Sequence, residues 1–345
     1  MPILYDTATL IHVVRNLKIA QKFLLNKFFP NIVRSDTEYV AIDVEIGVRR
    51  MAPFVSPLVQ GQIVEQKRVQ TNQFKPAYLK PKTPVDVRKP VRRQVGERIG
   101  GELTGQQRAE YNIVEVMVDH IDQIDRRCEW MAASAMSTGT VTIEGDGFQT
   151  VVVDFGRDSA LTLAKTGEAR WTVLNIKNGT ASPSSDIELW ALLMLKKSGA
   201  IATDIVFTTS SWLSFSLDPR VTPAIYFPKI GESGSINNGA QITLGGQYKG
   251  RWGNYDLWVY NDWYVDLKGD EQPMLVDGTV LMSGPQLEGT RSYGMILDPE
   301  VNYQALEYAP KIWVEKDPAQ TIIMTQSSPI MIPSRPNASL AAKVL

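Results

Sequence analysis

The chain has 345 residues, 43% of them apolar and 21% charged, a balance that excludes the disordered and collagen-like classes. Its 36 basic and 37 acidic side chains leave a net charge of −1, which removes any whole-molecule attraction to polyanions. A single cysteine, Cys128, excludes an intramolecular disulfide, and no stretch approaches the roughly 18 consecutive apolar residues of a membrane span; the expectation is a soluble, cytoplasmic chain without a leader peptide.

Leu10, Val13, Val14, Leu17, Leu24 and Phe28 recur at mostly helical spacing before Pro30, which predicts one helix or two short ones over residues 7 to 29. Val40, Ile42, Val44 and Ile46 then alternate with Tyr39, Ala41, Asp43 and Glu45, the period of a strand with one buried face, ending at Gly47. From Met51 to Arg93 the pattern dissolves. Pro53, Pro57, Pro76, Pro81, Pro84 and Pro90 confine this stretch to edge strands and extended loops.

Between residues 62 and 93 there are nine basic side chains (Lys67, Arg68, Lys75, Lys80, Lys82, Arg88, Lys89, Arg92 and Arg93) against two acidic ones (Glu65 and Asp86), a local net of +7. A long segment with so little to bury packs on another molecule. Phe74 and Tyr78 interleave with Lys75 and Lys80, as a stacking and phosphate-binding surface requires. No recognised nucleic-acid module accompanies them, so an acidic protein surface is the preferred partner.

The sequence Gly-Glu-Arg-Ile-Gly-Gly at residues 96 to 101 lacks the ending of a phosphate loop and reads as a hinge. Val114, Met117, Ile121, Ile124, Cys128, Met131 and Ala135 follow in steps of three and four, predicting a long helix from about Thr104 to Met136, closed by Gly139. A coiled-coil partner or a sheet underneath would both require this stripe. With no second comparable helix, the sheet is preferred. The other faces carry Glu110, Glu115, Asp119, Asp122, Asp125 and Glu129, read as a solvated acidic flank, and His120 reads as a flank residue one position off the stripe.

Thr140 to Ile143 and Thr150 to Phe155 form a predicted hairpin around Asp146 and Gly147, and Asn175 to Ser184 reads as a boundary. Ser185 and Glu188 match a capping box opening a helix through Leu189, Leu192, Leu193 and Leu195 to Gly199. Beyond it come β-rich runs at Ile205 to Thr208, Leu257 to Tyr260, Met274 to Met282, Thr321 to Met324 and Ile330 to Ile332, with a glycine-rich loop from Gly231 to Gly246. The fold class is α+β.

Catalytic chemistry has little to work with. The two histidines, His12 and His120, have no spaced Cys or His companions for zinc and no nucleophile elbow for a triad. Asp122 and Asp125 share a helix face, but nothing marks them as a glycosidase pair. Asn178 and Asn337 head glycosylation sequons that mark loops only. No catalytic, cofactor-binding or metal residue is assigned.

Five pieces in order across the chain resemble the lambda-like phage major capsid protein E family: Phe23 to Pro30 (FLLNKFFP), Met51 to Pro57 (MAPFVSP), Phe74 to Lys82 (FKPAYLKPK), Arg291 to Gly294 (RSYG) and Trp313 to Pro318 (WVEKDP). The resemblance implies the Hong Kong 97 type capsid fold. It would place an N-terminal arm at 1–38, a strand and extended E-loop at 39–93, and a peripheral P-domain with the spine helix and hairpin at 94–175. An axial A-domain would follow at 176–304, with a return to the P-domain and a tail at 305–345. It further implies hexameric and pentameric capsomers of this chain, a scaffold protein, a portal, trimers of a decoration protein, and DNA enclosed without sequence-specific binding. Lys80, Lys82, Arg88, Lys89, Arg92 and Arg93 would then face Asp119, Asp122 and Glu129 of a neighbouring copy. An encapsulin-like compartment, a tail-tube subunit and an enzyme stay open as alternatives.

Overall fold

The computed structural model describes residues 22–37, 39–46, 51–52, 54–58, 60–61, 68–74, 76, 78–85, 104–145, 149–226, 242–243, 245–266, 268–317 and 319–345. The first described element is a short helix, α1 (Phe23–Phe28), which buries Phe23, Leu24, Leu25 and Phe28. The helical stretch expected before it, residues 7 to 21, lies outside the described residues, as does the hinge at 96 to 101.

The stripe of three- and four-residue steps forms α2 (Gly105–Thr138). Thr104 and Gln107 close a capping box at its start, the Thr104 side chain accepting from Gln107 N at 3.2 Å and the Gln107 side chain accepting from Thr104 N at 2.8 Å. At its end Gly139 adopts φ 77°, the left-handed geometry that turns a chain out of a helix. Arg157 donates to Met136 O at 2.5 Å and Ser137 O at 2.7 Å, placing a cation on the negative helix end. Burial pulls the pKa of that guanidinium down to about 10.

Met117, Ile121, Ile124, Cys128, Met131 and Ala135 are all buried, and Val114, at the head of the stripe, is not. The stripe rests on sheets, not on a second helix. Lys82–Val85 pairs with Ala319–Gln326, which pairs with Ala309–Lys316, and Ile323 of this sheet packs on Met117 and Ile121. Further along, Ile330, Met331 and Ile332 of Pro329–Pro333 share a core with Ile124, Cys128, Met131 and Ala135. Pro329–Pro333 pairs with Gly289–Tyr293, which pairs in parallel with Asn31–Arg34. His120 is not a flank residue: it is fully buried between Thr83 Oγ1 at 2.8 Å and Thr325 Oγ1 at 3.3 Å. Burial lowers its pKa, the usual direction for an imidazole withdrawn from water.

The expected hairpin pairs Thr140–Ile143 with Val151–Asp154, while its Asp146–Gly147 turn lies outside the described residues. An eight-stranded sheet forms the other half of the molecule. Asp204–Phe207 and Thr279–Ser283 lie at its centre, buried on both faces. The alternation along these strands divides two cores. Val206 and Leu281 face α2, α1 and Tyr260, whereas Ile205, Phe207, Val280 and Met282 face the helices on the far side. Those helices are α3 (Val173–Lys177), α4 (Pro183–Ser198) and α5 (Thr209–Ser216).

Two expectations change here. Helix α4 starts at Pro183, which suits a first helical position, so Ser185 lies inside it and its hydroxyl accepts from Ser182 Oγ at 3.0 Å instead of capping. Its buried face is Ile187, Trp190 and Met194, leaving Leu189 and Leu192 exposed. The strand that follows Pro329–Pro333 reaches both cores, with Ala341 in the one under α2. Leu340–Lys343 enters the eight-stranded sheet between Thr279–Ser283 and Thr162–Ala164, burying Leu340 and Ala342 in the far core.

Candidate intersubunit surface

The proline-rich arm begins and ends as a ribbon. Val40–Ile46 pairs antiparallel with Arg68–Phe74 through seven consecutive residue pairs, from Val40 opposite Phe74 to Ile46 opposite Arg68. A two-stranded ribbon satisfies its inner backbone groups and needs a further partner for independent stability. Between its strands Met51, Phe54 and Leu58 are 87%, 102% and 96% exposed. Large apolar side chains left in water are what a contact surface for another molecule presents.

The root of the ribbon is fixed. Tyr78 donates its hydroxyl to Met295 O at 2.8 Å and accepts from Leu297 N at 3.0 Å, so its polar end is fully engaged and it is no open stacking platform. Leu79 bridges Ser327, and Lys82–Val85 continues as an edge strand of the sheet under α2. Lys80 lies over the Tyr78 ring at 4.9 Å and Lys82 over the Trp313 ring at 5.0 Å, contacts that cover the ring faces. Phe74 serves in the ribbon opposite Val40. Arg88, Lys89, Arg92 and Arg93 lie outside the described residues.

The acidic residues of α2 divide into three kinds. Asp119 stays on the outer face, where it accepts from Gln123 at 2.8 Å. Asp122 is shared between Lys22, at 3.0 Å, and Arg126. Glu129, expected on the solvated flank, is fully buried in its own chain. It accepts from Leu24 N at 2.9 Å, Leu25 N at 3.0 Å and the Tyr260 hydroxyl at 2.8 Å. A carboxyl with three internal donors and no exposure meets no neighbouring copy. Burial raises its pKa, opposed by those same hydrogen bonds.

Asp125 is buried as well. Tyr308 donates to its Oδ1 at 2.5 Å, Oδ2 has no partner among the described residues, and burial raises its pKa to about 6. Neither carboxyl was legible as internal, because the inward face of the helix is widened by α1 on one side and by Tyr308 on the other.

Among the described residues, no group of three or more His, Cys, Asp or Glu side chains is placed to hold a metal ion. His12 lies outside them. No described helix is long and apolar enough to cross a membrane.

The profile of a family described as phage major capsid protein E matches residues 6–344. The chain is 29% identical to the major capsid protein of Enterobacteria phage phi80 and 28% identical to that of Escherichia phage lambda, in each case over 99% of both chains. Among solved structures, a prophage capsid protein of Escherichia coli CFT073 superposes with a TM-score of 0.77 at 22% identity, covering 99% of both chains. The capsid of Ralstonia phage GP4 gives 0.52 at 13% identity, covering 94% of this chain and 92% of that one.

Proposed function

The chain belongs to the phage major capsid protein E family, the structural shell subunits of tailed double-stranded DNA phages, and from that premise we propose how its copies hold one another. Its fold is the α+β capsid fold of the Hong Kong 97 type, and its place is the virion.

Residues 39–93 are the strand and extended E-loop, laid over a neighbouring copy in a hexameric or pentameric capsomer. The observation that supports this is the exposure of Met51, Phe54 and Leu58, which lie in sequence between the two paired strands. The apolar tip supplies most of the contact energy, since each fully buried large apolar side chain contributes roughly 1.5–3 kcal/mol. The basic root supplies orientation. Lys80, Lys82, Arg88, Lys89, Arg92 and Arg93 face Asp119 and Asp122 of the next copy, each exposed pair contributing about 0–1 kcal/mol. Glu129 drops out of this set because it is internal.

In this reading residues 1–38 are the N-terminal arm, 94–175 the peripheral P-domain and 176–304 the axial A-domain. The segment 305–345 returns to the P-domain and ends in the axial sheet. Assembly takes place in the host cytoplasm with a scaffold protein and a portal, a decoration protein covers the outer surface, and DNA is enclosed without sequence-specific binding. The near-neutral charge favours this, because a basic wall would hold the genome tightly and salt-sensitively.

Negative-stain microscopy of the purified chain, with and without Arg92→Glu and Arg93→Glu together, tests the proposal. Closed shells from the parent chain, and shells from the variant that no longer form or that lose their salt dependence, are the expected result. Tubes, or particles filled with cargo protein, would point to the other structural classes. Unchanged assembly and unchanged salt response in the variant would remove the basic root from the contact.

A further inference from the structure

The two legs of the ribbon come down on one short segment of the body, residues 293–297, which runs on from the strand Gly289–Tyr293. On the first leg, Ser35 N donates to Tyr293 O at 2.9 Å, and Thr37 O accepts from Met295 N at 3.3 Å. On the second leg, the Tyr78 hydroxyl donates to Met295 O at 2.8 Å and accepts from Leu297 N at 3.0 Å. The N–H of Met295 therefore binds one leg and its carbonyl the other. Gly294, beside it, admits Pro76: a Cβ there would stand 2.8 Å from Pro76 Cγ and 3.2 Å from Ser328 Oγ.

This segment is held from behind. Tyr293, Gly294 and Ile296 are buried, and Gly294 N donates to Ser328 O at 2.8 Å. Asp298, the next residue along, accepts from Lys311 Nζ at 3.0 Å and from Gln326 Nε2 at 2.8 Å. A support braced in this way does not follow the ribbon; the ribbon takes its direction from the support. The first leg has a second tie, because Val40 is buried in the core under α2. On the second leg Pro76 has no N–H to offer, so among the described residues the Tyr78 hydroxyl is the polar tie to the body that lies nearest the ribbon.

We infer that the Tyr78 hydroxyl is the clasp that sets the direction of the ribbon relative to the body, with the main chain of Met295 as the fixed point for both legs. Tyr78 is thus a positioning residue: its hydroxyl both donates and accepts within its own chain, and it acts through the angle at which Met51, Phe54 and Leu58 are presented. The use of that angle rests on the reading that the ribbon covers a neighbouring copy. The clasp itself does not.

Tyr78→Phe keeps the ring, its packing against the small core of Ile296, Val301 and Ala309, and the platform under Lys80, and removes only the hydroxyl. Spin labels at Gln70→Cys in the ribbon and at Leu192→Cys on α4, in a chain whose native Cys128 is buried, read the separation of ribbon and body in unassembled subunits by pulsed electron paramagnetic resonance. Relative to the parent chain, Tyr78→Phe should broaden or shift that distance while the melting temperature stays close to the parent value. Hydrogen exchange followed by mass spectrometry should show the Leu297 amide opening at least about tenfold faster in the variant. Shells should need several-fold more protein to form. Tyr303→Phe, at an exposed tyrosine of the loop that follows, should change none of these. Identical distances and identical Leu297 exchange in the parent and Tyr78→Phe chains would overturn the clasp. A lowered melting temperature with an unchanged distance would make Tyr78 a residue of the fold alone and would overturn it too. A changed distance with parent-like shell assembly would uphold the clasp and count against the ribbon as the contact between copies.

Discussion

Tyr260 donates its hydroxyl to Glu129 Oε1 at 2.8 Å, joining the long helix to the end of a strand in the eight-stranded sheet. The same carboxyl holds the start of α1 through Leu24 N and Leu25 N, so three separate parts of the chain meet on one buried group. Around it Lys27 pairs with Asp204 at 2.7 Å and lies over Trp258, and Arg291 donates to Phe29 O at 2.7 Å. A segment of eight residues is thereby clipped to the helix and to both sheets.

Replacing Glu129 separates shape from charge. Glu129→Ala leaves three donors in a dry space and should cost roughly 3–5 kcal/mol, read as a fall in the urea midpoint. Glu129→Gln keeps the volume but turns one acceptor into a donor facing donors, for a smaller loss of about 1–3 kcal/mol. Equal, negligible losses for both would show that the junction carries no stability.

Asp125 sets a pH dependence of definite sign. Its pKa rises from 3.8 to about 6 on folding, chiefly through burial, so the folded chain holds that proton more tightly than the unfolded chain does. Its contribution therefore favours folding below about pH 4 and is lost as pH climbs to about 6, a change on the order of 3 kcal/mol. Asp125→Asn keeps an acceptor for Tyr308 and removes the titration. Denaturation curves between pH 4 and 7 should flatten in that variant, with the largest gain in stability at pH 7. An unchanged slope would contradict the assignment.

Two glycines differ in what a methyl group would meet. At Gly139 the left-handed φ and the Arg157 Cβ at 2.9 Å predict a loss of roughly 1–2 kcal/mol for Gly139→Ala, within what a folded chain tolerates. At Gly289 the added carbon would stand 2.1 Å from Phe28 O, with α1 unable to retreat because Arg291 and Glu129 hold it. Gly289→Ala should reach the soluble fraction poorly while Gly139→Ala melts a few degrees early. The reverse order would refute the close packing of α1.

Phe54 and Leu58 contribute almost nothing to their own subunit, so Phe54→Ser with Leu58→Ser should leave its thermal melting unaltered. Shell assembly should need at least about tenfold more protein, equivalent to ~1.4 kcal/mol per contact. A lowered melting temperature with normal assembly would reverse the roles assigned here.

The long helix and the alternating strand at 40–46 were legible because each obeys a single local period, and Gly139 marked where the helix ends. The far strand of the ribbon, Arg68–Phe74, carries no such period: its neighbours are polar on both faces, and its partner is what makes it a strand. Leu340–Lys343 was hidden for a related reason, since a short Leu-Ala-Ala-Lys run declares its place only through the two strands beside it. The basic arm was visible as charge and proline. Which acidic residues remain outside the fold was not, because Asp119, Asp122, Asp125 and Glu129 look alike in one dimension and differ only in what α1, Tyr260 and Tyr308 cover.

The position of Leu340–Lys343 also governs when a subunit becomes usable. Thr162–Ala164 and Thr279–Ser283 both leave the ribosome before the strand that joins them, so each keeps an unpaired edge until that strand is made. Only a chain synthesised through residue 343 can close them. Interrupted products lack that wall of the far core, with the apolar side chains it covers left to water.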